Sequence, residues 1–362
     1  MKYLLFVFSM FLGLSFFSLA YGQGGFTATG KVVDSTTGLP LAGASVFALH
    51  TTLGVITGND GSFSLRLPPG GYDLVVSYTG YQTYVQRINH TNATGLQIAL
   101  EVEDKSLSEV VVAGSAADPQ GLEKYGKLFL ENFIGVTPNS KLCEIQNPEA
   151  LRFYFSKKLN RLKVRGKEDL IIQNRALGYT LRYQLDSFTY EYGTQMSMYT
   201  GFPFYQEMEG SPAEQEVWKR NRLAAYKGSR LHFMRSWYDS TLRDQNFFLE
   251  WVDRIHANIT TFDIENPYDA FHYKVNENKD VTINWKDSRL KVAYRGEMPD
   301  SSYLLQYNLP LYLRGQITVL DISDTFTIEP NGYFHDQAAI TNTGYWSWEK
   351  IADALPMNVY EL

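Results

Sequence analysis

The sequence predicts a mainly β, α+β protein: a small N-terminal β-sandwich followed by a larger α+β domain with a helical hairpin. Three observations predict it. Between Gly30 and Thr83, short apolar runs recur every eight to twelve residues or so, with turn chemistry between them. Phe63, Leu65 and Leu67 alternate with Ser62, Ser64 and Arg66, so one face of that strand is apolar and the other wet. Further on, Ser211-Pro212-Ala213-Glu214 and Gly228-Ser229 carry the capping residues of two consecutive helices.

In the sandwich, Tyr72, Leu74, Val76 and Tyr78 repeat the alternation on the next strand. Asn59-Asp60-Gly61 closes a hairpin, because Gly and Asn tolerate the positive φ of a tight turn. Pro68-Pro69-Gly70-Gly71 forces the next reversal, since proline cannot donate to a strand ladder. Leu96 to Leu100 is the expected last strand.

The pattern G-x-V-x-D, G-x-P-L-x-G-A-x-V, G-x-F-x-L, G-x-Y-x-L, G-Y occurs at Gly30, Val32 and Asp34; Gly38, Pro40, Leu41, Gly43, Ala44 and Val46; Gly61, Phe63 and Leu65; Gly70 or Gly71, Tyr72 and Leu74; and Gly80-Tyr81. It resembles the carboxypeptidase-regulatory-like domain family over roughly a fifth of the chain, a compact small-domain size. The resemblance implies a transthyretin-like, seven-stranded sandwich of the carbohydrate-binding-like type, set at residues 26–101. In that family the module is an accessory beside a zinc carboxypeptidase, or stands at the N-terminus of envelope proteins including TonB-dependent receptors. It implies architecture and leaves activity open. Leu107 to Gly114, with the run Val110-Val111-Val112, resembles the junction before the plug of those receptors. A receptor barrel needs about twenty strands plus a plug, more than the remaining residues supply. Residues 102–118 are therefore expected to be a linker.

With 362 residues, 44% apolar and 15% aromatic, the chain is long enough for two or three domains with sizeable cores. The net charge of −6 is interspersed and argues against a nucleic-acid partner. Residues 1–22 read as a secretory signal: Lys2, an apolar core from Leu4 to Phe17, and Ala20-Tyr21-Gly22 before Gln23. An uncleaved anchor is the alternative, but the run is short for a bilayer and broken by Gly13 and Ser15. No Cys follows the cleavage site, so no lipoprotein anchor is expected. The protein is expected in the periplasm or at the outer membrane, peripheral rather than integral. Cys143 is the single cysteine, so no intramolecular disulfide forms; beside Glu144 it reads as structural rather than reactive.

Residues 119–362 are expected to form the α+β domain. Asp118-Pro119 opens a helix with Leu122, Tyr125, Phe129 and Phe133 on one face, and Gly135 stops it. Strands follow at Leu151 to Ser156, Arg161 to Val164 and Leu170 to Ile172, then at Tyr179 to Leu185. Phe188, Tyr190 and Tyr192 continue that period, as a return strand or past a bulge. The helical hairpin runs from Pro212 through Tyr226, then from Arg230 to about Arg243 with Leu231, Met234, Trp237, Tyr238, Thr241 and Leu242 inward. Later strands are expected at Phe247 to Val252, Phe271 to Val275, Val281 to Trp285, Leu290 to Tyr294, Leu311 to Leu313, Gln316 to Ile322 and Thr325 to Ile328, with a turn at Asn331-Gly332. An eight-stranded barrel would fit in length, but the charged helices and two-sided Lys and Asp favour a soluble domain.

No histidine has Glu three positions on, no HExxH or GxSxG occurs, and no phosphate-cradling glycine loop or calcium loop is present. No cofactor and no metal are expected. One constellation remains: Arg222, Tyr226, Ser229, His232 and Arg235 crowd the helix–helix junction, where the second helix's free N–H groups would favour an anion. On the alternative reading, Arg235–Asp239 and Asp239–Arg243 are ordinary i,i+4 pairs, His232 is a capping or core histidine, and Arg222 meets an internal carboxylate. The leading functional expectation is a non-enzymatic exported envelope protein whose module docks onto a protein partner. Carbohydrate binding through exposed aromatics is one alternative, and a hydrolase with an unrecognised carboxylate or His232 site is the other.

Overall fold

The computed structural model describes residues 24–103, 117–255, 258–277, 279–284, 289–335 and 340–359. The expected signal segment, the Val110-Val111-Val112 run and His256 lie outside them.

The sandwich has β1 (Phe26–Asp34), β2 (Ser45–Ala48), β3 (Gly54–Ile56), β4 (Ser62–Leu67), β5 (Tyr72–Ser77), β6 (Tyr84–Ile88) and β7 (Leu96–Leu100). A three-stranded sheet, β4-β1-β7, faces a four-stranded sheet, β3-β2-β5-β6. The seven strands and the alternating burial of β4 follow the sequence pattern. Val32, Phe63, Leu65, Leu74, Val76 and Ile98 fill the space between the sheets. Gly61 sits at φ +76°, and a Cβ there would strike the Val32 carbonyl at 2.5 Å, so the hairpin admits no side chain.

Helix α1 (Gly121–Phe133) begins three residues after Asp118. The Asp118 carboxylate accepts from Gln120 N and pairs with Lys124 instead of capping the helix. The inward face is Gly121, Tyr125, Phe129 and Phe133; Leu122 points to solvent. That face packs on an antiparallel six-stranded sheet of β8 (Cys143–Ile145), β9 (Leu151–Ser156), β10 (Arg161–Gly166), β11 (Leu170–Asn174), β12 (Tyr179–Glu191) and β13 (Met196–Glu207). β12 is one strand whose register shifts between Leu185 and Ser187, so Phe188 and Tyr190 regain the core past a bulge at Asp186. The return strand β13 was not anticipated.

Helices α2 (Pro212–Tyr226) and α3 (Arg230–Tyr238) form the expected hairpin. Ser211 and Glu214 make the capping box, and Ser229 Oγ accepts from His232 N. α3 ends at Tyr238, five residues early, with Ser240 in the left-handed region. It packs on the second large core, whose main sheet is β15-β14-β18-β19-β21, from β14 (Phe247–Ile255), β15 (Asn258–Asp263), β18 (Arg289–Tyr294), β19 (Gln316–Ile322) and β21 (Ile340–Gly344). A small sheet, β16 (Lys274–Val275), β17 (Val281–Ile283) and β20 (Phe326–Ile328), closes it. The Leu311 to Leu313 stretch is no strand but part of a loop with Tyr312 83% exposed, and Phe271 ends a short helical turn.

A C-terminal strap then ties these parts together. Ala352 N donates to Ile134 O, Asn174 Nδ2 to Ala352 O, and Met357 N to His50 O. Asn358 exchanges hydrogen bonds with Thr52 of the sandwich.

Phe129 is fully buried, stacked on Phe133 and edge-on to Phe188. Phe129→Ala should destabilise by about 3–5 kcal/mol through lost transfer energy and a cavity, seen as a lowered denaturation midpoint; Leu122→Ala, on the exposed face, should leave it nearly unchanged.

Candidate functional site

The five junction residues are brought together, but each is engaged by the fold. Arg222 lies over the Tyr179 ring, 3.9 Å from its centroid, and donates Nε to Leu177 O (2.7 Å) and Nη2 to Gly178 O (3.2 Å). Glu207 is its nearest carboxylate at 3.7 Å. Arg235 donates Nε to Asn331 O, Nη1 to Val359 O and Nη2 to Met357 O. The sequence pattern suggested i,i+4 ion pairing for this arginine; the backbone of the strap takes it instead. His232 is buried, accepts from Gly228 N at Nδ1 (3.1 Å) and meets Gln245 Oε1 at Nε2 (3.1 Å). Its ring stacks against Tyr226, Phe247 and Tyr294, and burial lowers its pKa. The Ser229 hydroxyl caps α3. The arrangement braces two helices against a sheet and a strap, with the donors that would hold an anion directed at carbonyls.

Cys143 is partly buried, and burial pushes its thiol up to about 12, the setting of a structural cysteine. Burial also raises Glu349 and Asp353, the latter to about 6; Asn139 donates to Asp353 at 2.9 Å, which fastens the strap. Among the described residues, no group of three or more His, Cys, Asp or Glu gathers as metal ligands.

A second polar cluster lies where the sandwich meets the rest. Phe47 on β2 and Val75 on β5 point away from the sandwich core, yet are 6% and 0% exposed. Phe47 packs on Phe204 of β13 with ring centroids 5.1 Å apart. The β13 edge also pairs with the loop after β2, through His50 N to Pro203 O and Tyr205 N to Thr51 O. The β3-β2-β5-β6 sheet therefore seats the centre of its outer face on its own chain, with Ile56 and Val85 of the same face exposed.

One end of this seat is a charge network. The buried Glu329 carboxylate accepts from Gly71 N (2.5 Å), Arg87 and His335 Nε2 (2.8 Å). Arg87 lies over the Tyr333 ring at 4.0 Å and reaches Asp73, which also accepts from Tyr333 (2.8 Å). Asn331 Nδ2 donates back to Gly71 O. A Cβ on Gly71 would strike the Glu329 carboxylate, so only glycine permits this approach.

The other end opens as a narrow surface crease, continuous with solvent. Ser45, Phe47 and Ser77 form its sandwich wall; Asp169, Arg182, Gln184, Phe202 and Phe204 form the sheet floor. Arg182 pairs with Asp169 at 3.0 Å, and Thr83 Oγ1 meets Gln184 Oε1 at 2.8 Å. Aromatic rings here lie beside amide, hydroxyl and ion-pair groups.

Comparison with known proteins matches residues 28–112 to the family described as the CarboxypepD_reg-like domain. A TonB-dependent receptor of Formosa agariphila is 37% identical over 86 residues, and the TonB-dependent receptor SusC of Bacteroides thetaiotaomicron 39% over 83 residues. These matches cover 24% and 23% of this chain and 8% of each receptor, so the chain spans a small part of the length of the curated relatives it matches. Among solved structures, a DUF3823 family protein from Bacteroides ovatus aligns over 74% of this chain and 90% of its own at 13% identity, with a TM-score of 0.18. A putative membrane-associated protein of unknown function from Bacteroides fragilis aligns over 88% and 95% at 11% identity, with a TM-score of 0.17. At those scores the structural alignments relate neither fold nor function. Among the described residues no helix is long and apolar enough to cross a membrane.

Two expectations follow. Arg235→Ala should cost on the order of 2–3 kcal/mol, because a charged donor group held by carbonyls is lost; the thermal midpoint falls, while binding of inorganic phosphate is unaltered. The second concerns pH. Hydrogen bonding to Glu329 raises the His335 pKa, so its stabilising share is complete below the ordinary value of 6.5 and is lost as pH rises through the higher folded value. Burial alone would raise Glu329, but hydrogen bonds from His335, Arg87 and Gly71 hold it below 4.5. Its share is present above 4.5 and is lost as pH falls through the lower folded value. The seat is thus firmest between those two ordinary values. Hydrogen exchange at residues 71–73 and 329–335 should be faster at pH 8 than at pH 6, after correction for intrinsic rates, and His335→Gln should remove the difference.

Proposed function

We propose that this protein is an envelope-associated, non-enzymatic carbohydrate-binding protein, with its recognition surface at the crease between sandwich and six-stranded sheet. The carboxypeptidase-regulatory-like domain and its likeness to TonB-dependent receptors support an envelope-associated protein. The observation that carries the binding reading is the seat itself. The centre of the outer sheet face that an isolated module would offer a protein partner, at Phe47 and Val75, is covered by the chain's own β13, leaving Val85 and Ile56 exposed at its margins. On the opposite sheet, β4 offers outward Ser62, Ser64 and Arg66, a polar edge. The crease, in contrast, combines Phe202 and Phe204 with Gln184, Ser45 and Ser77. Sugars present this chemistry in reverse, with hydroxyls at the rim and C–H groups on the faces.

Pull-down on a panel of insoluble polysaccharides tests the reading. Retention on at least one is expected, and Phe202→Ala with Gln184→Ala should weaken it by about tenfold, the scale of one lost ring contact and one hydrogen bond. No retention on any of them, with folded protein, would overturn it.

A further inference from the structure

We infer that the ligand is an acidic polysaccharide, read by a half-buried cationic stripe on the face of the six-stranded sheet away from its core, beside the crease. The inference rests on the carbohydrate-binding reading and deepens it. On β10, Leu162 and Val164 enter the core, so Arg161, Lys163 and Arg165 stand on the opposite face. Strand register extends each into a row. Arg161 lies between Ser156 and Glu191, Lys163 between Tyr154 and Thr189, and Arg165 opposite Arg152.

These cations are not explained by stability. Arg161 pairs with Glu191, which accounts for one of them. Lys163 and Arg165 have no ion-pair partner among the described residues, and the Arg165 Nε is buried without a hydrogen-bond partner. Arg152 directly across from Arg165 adds like-charge repulsion, which weakens a sheet. Its guanidinium is steadied by Glu149 O and Leu151 O rather than by a carboxylate. Asp186 and Glu191, the acids on this part of β12, are already engaged by Thr200 and Arg161. The protein's net charge is −6, so an uncompensated basic stripe on it runs against the overall balance.

The spacing selects the ligand. Neighbouring strands lie about 4.8 Å apart and same-face residues along a strand about 6.8 Å. Register thus sets Arg152, Arg165 and Lys163 in adjacent positions of one face, a cluster of like charge that suits a polymer with a carboxylate or sulfate on each sugar. Thr189 supplies a hydroxyl beside them, and Met198, paired with it across the sheet and 72% exposed, supplies an apolar surface for a sugar's C–H face. The sandwich stands on this same face, since Thr83 meets Gln184 two positions before the bulge. That wall holds a flat bilayer away and leaves room for a single extended chain running from the crease along the stripe.

The test is affinity electrophoresis of the full chain through gels containing polygalacturonate or neutral dextran, with flotation on phosphatidylglycerol–phosphatidylcholine vesicles alongside. Wild-type protein should be retarded by polygalacturonate, less so as salt rises, and not by dextran. Lys163→Gln with Arg165→Gln should weaken retardation on the order of tenfold, with the fold checked by circular dichroism and a thermal midpoint no lower than wild type, since the change relieves the repulsion between Arg165 and Arg152. Equal retardation of this double variant and wild type overturns the inference. So does retardation by dextran that responds to Phe202→Ala but not to the double variant, a result that leaves the carbohydrate-binding reading standing. Binding to vesicles without retardation by polygalacturonate overturns it in favour of a membrane surface. Absence of retardation in every gel, together with no retention on insoluble polysaccharide, removes both readings.

Discussion

Burying the Glu329 carboxylate costs several kcal/mol unless its oxygens are met, and the groups that meet them come from both sides of a seam. Gly71 N and Arg87 belong to the sandwich, while His335 follows Glu329 in the second large core. Neither side can satisfy the acid alone. The sandwich is therefore held at one place and in one orientation, with Asp73, Tyr333 and Asn331 adding directional contacts around the same point. The apolar contact of Phe47 and Phe204 supplies adhesion at the other end, and the polar network supplies register.

That fixed placement gives the sheet face its character. An open sheet with one wet side is ordinary, but here a second domain stands upright on part of that side and turns a flat surface into a floor with a wall. The crease lies where Phe47 of the sandwich packs on Phe204, beside the contact of Thr83 with Gln184. The helix junction has the complementary role. Arg222, His232 and Arg235 spend their polarity on carbonyls and an amide, so that α2, α3 and the strap cannot shift relative to the floor.

Much of the fold was legible because local chemistry and global packing agree. The alternation in β4, the glycine turns and both helix caps each name their element without knowledge of the rest. β13 escaped because Gly201 and Pro203 interrupt it; the proline is tolerated on an edge strand whose outward side needs no continuous ladder. The seat had a faint signature in Val46-Phe47-Ala48 and Leu74-Val75-Val76, where unbroken apolar runs replace alternation and signal burial on both faces. The junction misled because its arginines are neutralised by backbone carbonyls, which no side-chain pattern encodes. Arg161, Lys163 and Arg165 alternate visibly with Leu162 and Val164, but only the position of the sandwich shows which stretch of their face stays uncovered.

The strap has a bearing on how the chain reaches this state. Thr52 and Asn358 touch although 306 positions separate them. Closing so long a loop adds little entropy beyond a loop half its length, about 0.6 kcal/mol per doubling, yet the contact must wait until both ends have found their own sheets. In that interval Phe47, Val75 and Phe204 lie bare, and the β13 edge at Pro203 to Tyr205 has no neighbour. A partly assembled chain of this kind is where self-association competes with folding, because apolar surface and an unpaired strand edge are bare at the same time.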